Sequence, residues 1–355
     1  MTTSPQPPSG ASGLPVAGVP DGWTVRVPGE PDAGALAALV RSAEQHGRGW
    51  PGASRDALLV EVSARGARTR RNVALWDPAG TVRAWGGVHD RVAGRMLLRV
   101  VVSPELDDAT ADRIATALFA WGDDAARQVA RARGIGSQQV DSGAFADDVR
   151  QHRWLRTAGY EKVRTWWQMT RPVAAEDARL DAAVRAGVRI RAVARGADGM
   201  PAERDLRTIH DVLESAFADH FNSHEETFDE FVLRLRESPG HRWDHWWVAE
   251  LVDGTSEGGE PEPAGALVGS VADGGDGPDG SYVEYLGVLG TARGRGVAKS
   301  LLATVVADAA ARGRDRVGLE VDADSPTGAE RLYTSLGWRT SYVTESWHRH
   351  VDLDD

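Results

Sequence analysis

Arg293-Gly294-Arg295-Gly296 stands where the chain changes character. In YLGVLGTARGRGVAKSLL, residues 285–302, a run of strand formers ends in a turn with three glycines and two arginines, and an apolar run at helical spacing follows. A glycine-rich turn feeding a helix aims several backbone N–H groups one way, and the helix dipole adds partial positive charge there. Glycine leaves room for phosphate oxygens to approach, and guanidinium groups add charge-assisted hydrogen bonds. The chemistry of such a turn is anion binding. For the four residues taken alone, the alternative is an ordinary tight turn with solvated arginines. No Gly-Lys-Ser/Thr triplet is present, which excludes a Walker loop. The preceding strands read as antiparallel, so no dinucleotide-binding βαβ unit opens here.

The elements that must hold this turn are legible on both sides of it. WWVAELV (246–252), AGALVGSVA (264–272) and YVEYLGV (282–288) are short apolar runs. They are separated by DGTSEGGEPEP (253–263) and DGGDGPDGS (273–281), a pattern that predicts three successive antiparallel strands joined by long acidic loops. After the turn, Val297, Leu301, Leu302, Val305 and Ala309 recur at helical spacing, and the helix should stop near Gly313. RVGLEVDA (316–323) predicts another strand, and SPTGAERLYTSLGW predicts a helix opened by Ser-Pro and closed at Gly337. A final strand pair is expected through RTSYVTESWHRHVDL.

The first half repeats this order. NVALWDP and TVRAWGGVHD read as a hairpin, RMLLRVVVSP (95–104) as the next strand, and about 108–131 as a long amphipathic helix. RQHRWLRTAGYEKVRTWWQMT then parallels GAERLYTSLGWRTSYVTESWH, with Gly159-Tyr160 matching Gly337-Trp338. A repeat that preserves element order predicts two copies of one α/β fold, each a mostly antiparallel mixed sheet flanked by helices. The expected division is a disordered Pro/Ser/Gly-rich tail over 1–21, a first domain over 22–175 and a second over 186–355.

The bulk composition agrees with two cores. The chain has 355 residues, 41% hydrophobic and 26% charged, with no apolar run near the ~20 residues that span a bilayer. No cysteine is present, which excludes disulfides, thiolate zinc sites and a cysteine nucleophile. With no basic-then-apolar leader pattern, a cytoplasmic protein is expected. A net charge of −11 argues against a general nucleic-acid binder and is compatible with a cationic small-molecule partner.

Context lifts the turn above an isolated match. Arg293, Gly296 and Ala298 fit the Arg/Gln-x-x-Gly-x-Gly/Ala signature, and the stretch resembles the acyl-CoA-binding segment of the GCN5-related N-acetyltransferases. Past the next strand, Ser325-Pro326-Thr327-Gly328-Ala329-Glu330-Arg331-Leu332-Tyr333 and Gly337-Trp338 resemble that family's second signature. Ser325 replaces the usual Asn and Trp338 the usual Phe. The resemblance covers about 187–355 well and about 22–172 in outline. The tandem arrangement, with the intact copy second, is similar to the mycothiol synthase branch. In the first copy the corresponding turn reads VVVSPELDDATAD. Glu105, Asp107 and Asp108 stand there in place of arginines and glycines, and Leu155 replaces Tyr333. Carboxylates repel a pyrophosphate, so acyl-CoA binding is expected in the second copy only.

What the resemblance implies is transfer of an acetyl group from acetyl-CoA, as co-substrate, to an amine by direct attack. Backbone amides of Leu286-Gly287-Val288 would polarise the thioester carbonyl, and Tyr333 would protonate the departing thiolate. Gly294, Arg295, Val297, Lys299 and Ser325 join Arg293, Gly296 and Ala298 as the cofactor seat. Tyr333 has the alternative of a packed aromatic on a buried helix face. Glu284, two and four residues before Leu286 and Val288, is expected to share their strand face and is the candidate base, its alternative being a solvated edge carboxylate. Asp219, His220, His224 and Glu225 lie where the family shapes its acceptor site. Trp246, with Trp243 and Trp247, could wall an acceptor pocket or simply pack the core. His220/His224 and His241/His245 have i, i+4 spacing but no evident third ligand, so no metal is expected. The expected reaction is acetylation of a small-molecule amine. A protein or peptide acetyltransferase and a non-catalytic acyl-CoA sensor remain as alternatives.

Overall fold

The computed structural model describes residues 16–91, 95–183, 187–197, 200–218, 226–236, 241–252, 261–274, 277–324 and 328–353. The chain forms two compact units. One comprises residues up to Trp166 together with those from Tyr342 onward, and the other comprises Trp167–Ser341.

In the first unit the strands are β1 (Thr24–Arg26), β2 (Arg70–Trp76), β3 (Val82–Asp90), β4 (Arg95–Val102), β5 (Ser137–Phe145), the start of β6 (Glu161–Pro172) and most of β12 (Arg339–Asp352). They lie in the order β1-β2-β3-β4-β5-β12-β6. The helices are α1 (Ala33–Arg48), α2 (Arg55–Val62), α3 (Asp108–Arg133) and α4 (Val149–Thr157). α3 buries Ile114, Leu118 and Trp121 against Met96 and Leu98 on one face of the sheet. On the other face Leu36 and Leu58 close over Trp85. Each sheet face is thus covered by helix, as an α/β core requires.

The second unit contains β7 (Val188–Ala192), α5 (Glu203–Phe217), α6 (Phe228–Arg236), β8 (His241–Leu251), β9 (Glu262–Ala272), β10 (Gly280–Val288), α7 (Val297–Ala311), β11 (Arg316–Asp322) and α8 (Ala329–Ser335). Its strand order is β6-β11-β10-β9-β8-β7. β8 to β10 pair antiparallel as their patterning predicted, β7 adds a further antiparallel strand at the edge beside β8, and β10 pairs parallel with β11. Val283, Leu301, Leu302, Val305 and Leu319 form the core under α7, while Ile209, Leu213, Trp246 and Val268 form it under α5. α7 ends before Gly313, whose φ of 69° gives the left-handed stop.

Four expectations are corrected. The unit division falls at Trp166/Trp167 and Ser341/Tyr342 instead of at 175 and 186. The stretch read as a junction packs instead as a 3-10 helix, Ala175–Ala183, beside α7, with Leu180 on the core. The expected C-terminal strand pair is one 14-residue strand, β12, which carries no Gly or Pro to turn it. Finally, of the residues read as a disordered tail, 16–21 are ordered. Val16 and Val19 pack on the first core, and Arg113 donates to the carbonyls of Gly18 and Val19.

Candidate active site

β10 and β11 run side by side for only three rungs, ending at Val283↔Leu319, and then separate. Beyond that rung β10 stays paired to β9 as far as Val288↔Gly265, so its other edge faces an opening. Leu286, Gly287 and Val288 line this stretch. Gly287 has a packing reason: a Cβ there would lie 2.9 Å from Leu213 Cδ2 and 3.1 Å from Ala216 Cβ, so glycine lets α5 sit against the strand.

A short 3-10 turn, Gly290–Ala292, leads into Arg293–Gly296. Gly294 and Gly296 take φ of 77° and 83°, values that a side chain disfavours, and Gly294 looks into open space. Gly296 is the N-cap of α7 and has no side chain to fold back on the first turn. The N–H groups of Val297, Ala298 and Lys299 therefore point out of the helix start without an internal cap. Arg293 is exposed, Arg295 half-buried, and the Val297 side chain is buried in the core, leaving only its backbone for a ligand. This open, basic, glycine-lined helix start fits a pyrophosphate.

The corresponding turn of the first unit is filled from within. β4 and β5 also part after three parallel rungs, at Leu97↔Asp141. There Ser142 Oγ, one residue on, donates to the carbonyl of Leu98 at 2.9 Å. Asp107 is the N-cap of α3 and accepts from the Thr110 amide at 3.0 Å, while Glu105 pairs with Arg83. The helix start that would receive an anion already holds a carboxylate.

Tyr333 stands on α8, a helix of seven residues bounded by Gly328 at φ 63° and Gly337 at φ 94°. It is half-buried beside Trp338, ring centroids 6.3 Å apart, and burial pushes its phenol up to about 12. β6 steadies the end of this helix. Arg171 Nε donates to the Leu336 carbonyl at 3.0 Å, and its guanidinium is held by both oxygens of Asp177. Nothing in the local sequence marks Arg171 for this role, which depends on the fold bringing it to Leu336, 165 residues away.

Glu284 departs from the expectation for its strand face. The β10–β9 register shifts between Val283 and Tyr285, so Glu284 is an extra residue in the strand. The bulge breaks the two-residue alternation: Val283, Leu286 and Val288 pack in the core under α7, while Tyr285 packs under α5. Glu284 therefore does not share a face with Leu286 and Val288. Its carboxylate accepts a hydrogen bond of 2.6 Å from Ser270 Oγ on β9.

Of the acceptor-side expectations, Asp219, His220, His224 and Glu225 lie outside the described residues, as does Ser325. Trp246 has no exposed surface. It packs against Phe231, Trp243 and His241, so it supports the wall of a site without offering a face to a ligand. His241 and His245 lie on strand β8, and His245 Nδ1 bonds Asp244 at 2.8 Å. Among the described residues no group of three or more His, Cys, Asp or Glu is arranged to hold a metal ion, and no helix is long and apolar enough to cross a membrane.

A splayed parallel strand pair above an uncapped glycine-arginine helix start defines an acyl-CoA-dependent N-acetyltransferase. The signature of the acetyltransferase (GNAT) family matches residues 208–338. The mycothiol acetyltransferase of Thermobispora bispora is 30% identical over 237 residues, covering 62% of this chain and 72% of that protein. The chain belongs to the GNAT acetyltransferase family. Its fold is shared with a GCN5-related N-acetyltransferase from Sphaerobacter thermophilus, at TM-score 0.72 and 23% identity over 94% of this chain and 97% of the other. A tandem GNAT protein from the clavulanic acid biosynthesis pathway matches at TM-score 0.65 and 11% identity, over 94% of this chain and all of the other.

Proposed function

We propose that this protein transfers the acetyl group of acetyl-CoA to the primary amine of a small molecule by direct attack, and that the second unit alone carries the reaction. The contrast between the two turns supports this most. One helix start is open, basic and capped by glycine, while the other is closed by Asp107. The first unit is then a degenerate copy that supports the catalytic one. The relative that is a mycothiol acetyltransferase favours a small acceptor over a protein.

In this reading Arg293, Arg295 and the backbone from Gly294 to Lys299 hold the pyrophosphate of acetyl-CoA. Amides of Leu286–Val288 polarise the thioester carbonyl. Glu284 takes the proton from the amine nitrogen as the new C–N bond forms and the C–S bond breaks, and Tyr333 gives its phenolic proton to the leaving sulfur. A phenol raised to about 12 keeps its proton at neutral pH, so it is in the donating form when the thiolate appears.

The test is thiol release from acetyl-CoA in the presence of glucosamine, spermidine or a lysine-containing peptide. The protein has no cysteine and adds no thiol of its own. Release that needs a small amine and falls in Tyr333→Phe is the expected result. Release only with the peptide would replace the small acceptor by a protein one. Binding of acetyl-CoA without release by any of the three would remove the catalytic reading.

A further inference from the structure

α8 is only seven residues long, too short to hold its shape alone in water, and Gly328 gives its start no side-chain cap. Its other end is built into the unit. The Tyr333 carbonyl accepts from the Leu336 and Trp338 amides at 3.0 and 3.1 Å, so Tyr333 is itself part of the closing turn. The Leu336 carbonyl of that turn takes Arg171 Nε at 3.0 Å, and a cation suits the negative end of a helix. Asp177 clamps the guanidinium with both oxygens, at 2.8 and 3.0 Å, and is fixed in turn by the Ala174 amide at 3.0 Å. A fork of two charge-assisted bonds fixes direction as well as place. The guanidinium also stands over the Trp338 ring, 5.8 Å from its centroid, and that ring lies beside the Tyr333 ring. Arg171 thus reaches Tyr333 twice, through the backbone turn and through Trp338.

The first unit carries the same joint. Arg349 Nη1 donates to the Ala158 carbonyl at 2.6 Å and to Asp123 at 3.0 Å, and its guanidinium lies 5.8 Å from the Tyr160 ring. The Tyr160 amide donates to the Leu155 carbonyl at 2.9 Å, as Trp338 does to Tyr333. There the helix holds Leu155, which has no proton to give. The chain therefore contains one joint with a phenol on it and one without.

We propose that Arg171, clamped by Asp177, is a positioning residue that acts through Tyr333, holding its hydroxyl where the leaving sulfur appears. The proposal rests on the reading of Tyr333 as the proton donor. A donor displaced by a fraction of its hydrogen-bond length loses rate while the cofactor seat, at the start of α7, is untouched.

A double-mutant cycle tests this, with thiol release from acetyl-CoA measured using whichever of glucosamine, spermidine and the lysine-containing peptide supports turnover. Arg171→Ala should lower kcat by about tenfold, with KM for acetyl-CoA little changed. In the Tyr333→Phe background the same replacement should lower kcat no further, because the group it positions is gone. Arg349→Ala should lower the melting temperature and leave kcat as it was. Thermal melting by circular dichroism checks that each variant folds, and Asp177→Asn, which loosens the clamp, serves should Arg171→Ala fail to. A readout that needs no acceptor is the ¹³C-labelled tyrosine ring, assigned by its loss in Tyr333→Phe. In Arg171→Ala its resonance should move toward that of a solvated tyrosine as the ring leaves Trp338. An unmoved ring, an equal fall in kcat in both backgrounds, or an equal fall in Arg349→Ala overturns the positioning role. Full turnover by Tyr333→Phe overturns the acid itself, and the proposal with it, so the two failures are distinguishable.

Discussion

Ser142 Oγ donates to the Leu98 carbonyl at 2.9 Å, one residue past the last parallel rung of β4 and β5. This side chain bridges the first unit's strands where the second unit's strands stand open. With Asp107 capping α3, the first copy has neither an open wedge nor an uncapped helix start.

Acetyl-CoA should therefore bind with a stoichiometry of one per chain. By isothermal calorimetry, Gly296→Glu should weaken that binding by at least tenfold, because it puts a carboxylate and a strained left-handed residue at the anion seat. Asp107→Ala should leave binding unchanged while lowering the thermal unfolding midpoint slightly through the lost cap. A second binding event, or normal binding by Gly296→Glu, would remove the assignment of the seat.

Tyr333→Phe should lower kcat by about a hundredfold or more, the usual worth of a positioned acid, with acetyl-CoA affinity changed little. With its phenol near 12, Tyr333 should contribute no alkaline fall in rate below about pH 10. A descending limb near pH 8 that disappears in Tyr333→Phe would contradict the buried environment described above.

Ser270→Ala removes the hydroxyl that donates to Glu284. A hydrogen bond to the charged form lowers a carboxyl's pKa, so its loss should move the acid limb of the kcat/KM profile to higher pH, by about half a unit to one unit. Ser270→Thr should keep the limb near its original place.

Asp205 on α5 is 2% exposed and receives both Nη atoms of Arg191, at 2.7 and 2.8 Å, and the Ala194 amide at 2.8 Å. Burial alone would raise its carboxyl, but these bonds outweigh it and hold the group below the ordinary carboxylate range. Its stabilising contribution is therefore present above about pH 4 and is lost as pH falls through the lowered native value. Asp205→Ala leaves Arg191 without this partner and should cost about 3 kcal/mol, visible as a fall in the midpoint of urea unfolding.

The parts of this protein that were legible in its sequence are those set by short-range rules. Strand formers bounded by Gly, Asp and Pro gave β8, β9 and β10 their places, and the spacing of Val297, Leu301, Leu302 and Val305 marked α7. Glycine positions also translated well. Gly159 and Gly337, matched in the two halves, both take positive φ at the end of a short helix. The arginine-glycine turn and Tyr333 were found because their signatures occupy a dozen neighbouring residues each. By contrast, β1, β5, α1 and α2 left weaker local marks and were not anticipated.

Tertiary structure decided what depends on pairing between distant strands. The bulge at Glu284 follows from the β9 register, which no alternation within β10 reveals, and it reverses the face expected for that carboxylate. Gln168 and Arg171 belong to the second unit although they precede the expected junction. They reach Glu320 and Leu336 across more than 150 residues of chain. Local propensity acts over a turn or two, whereas the choice of strand partner is made by burying whole apolar faces at once. The sequence alone therefore named a candidate anion seat and a candidate acid. The neighbours of the two strand carboxylates, Ser270 on β9 for Glu284 and Gln168 on β6 for Glu320, emerged only when those faces were closed.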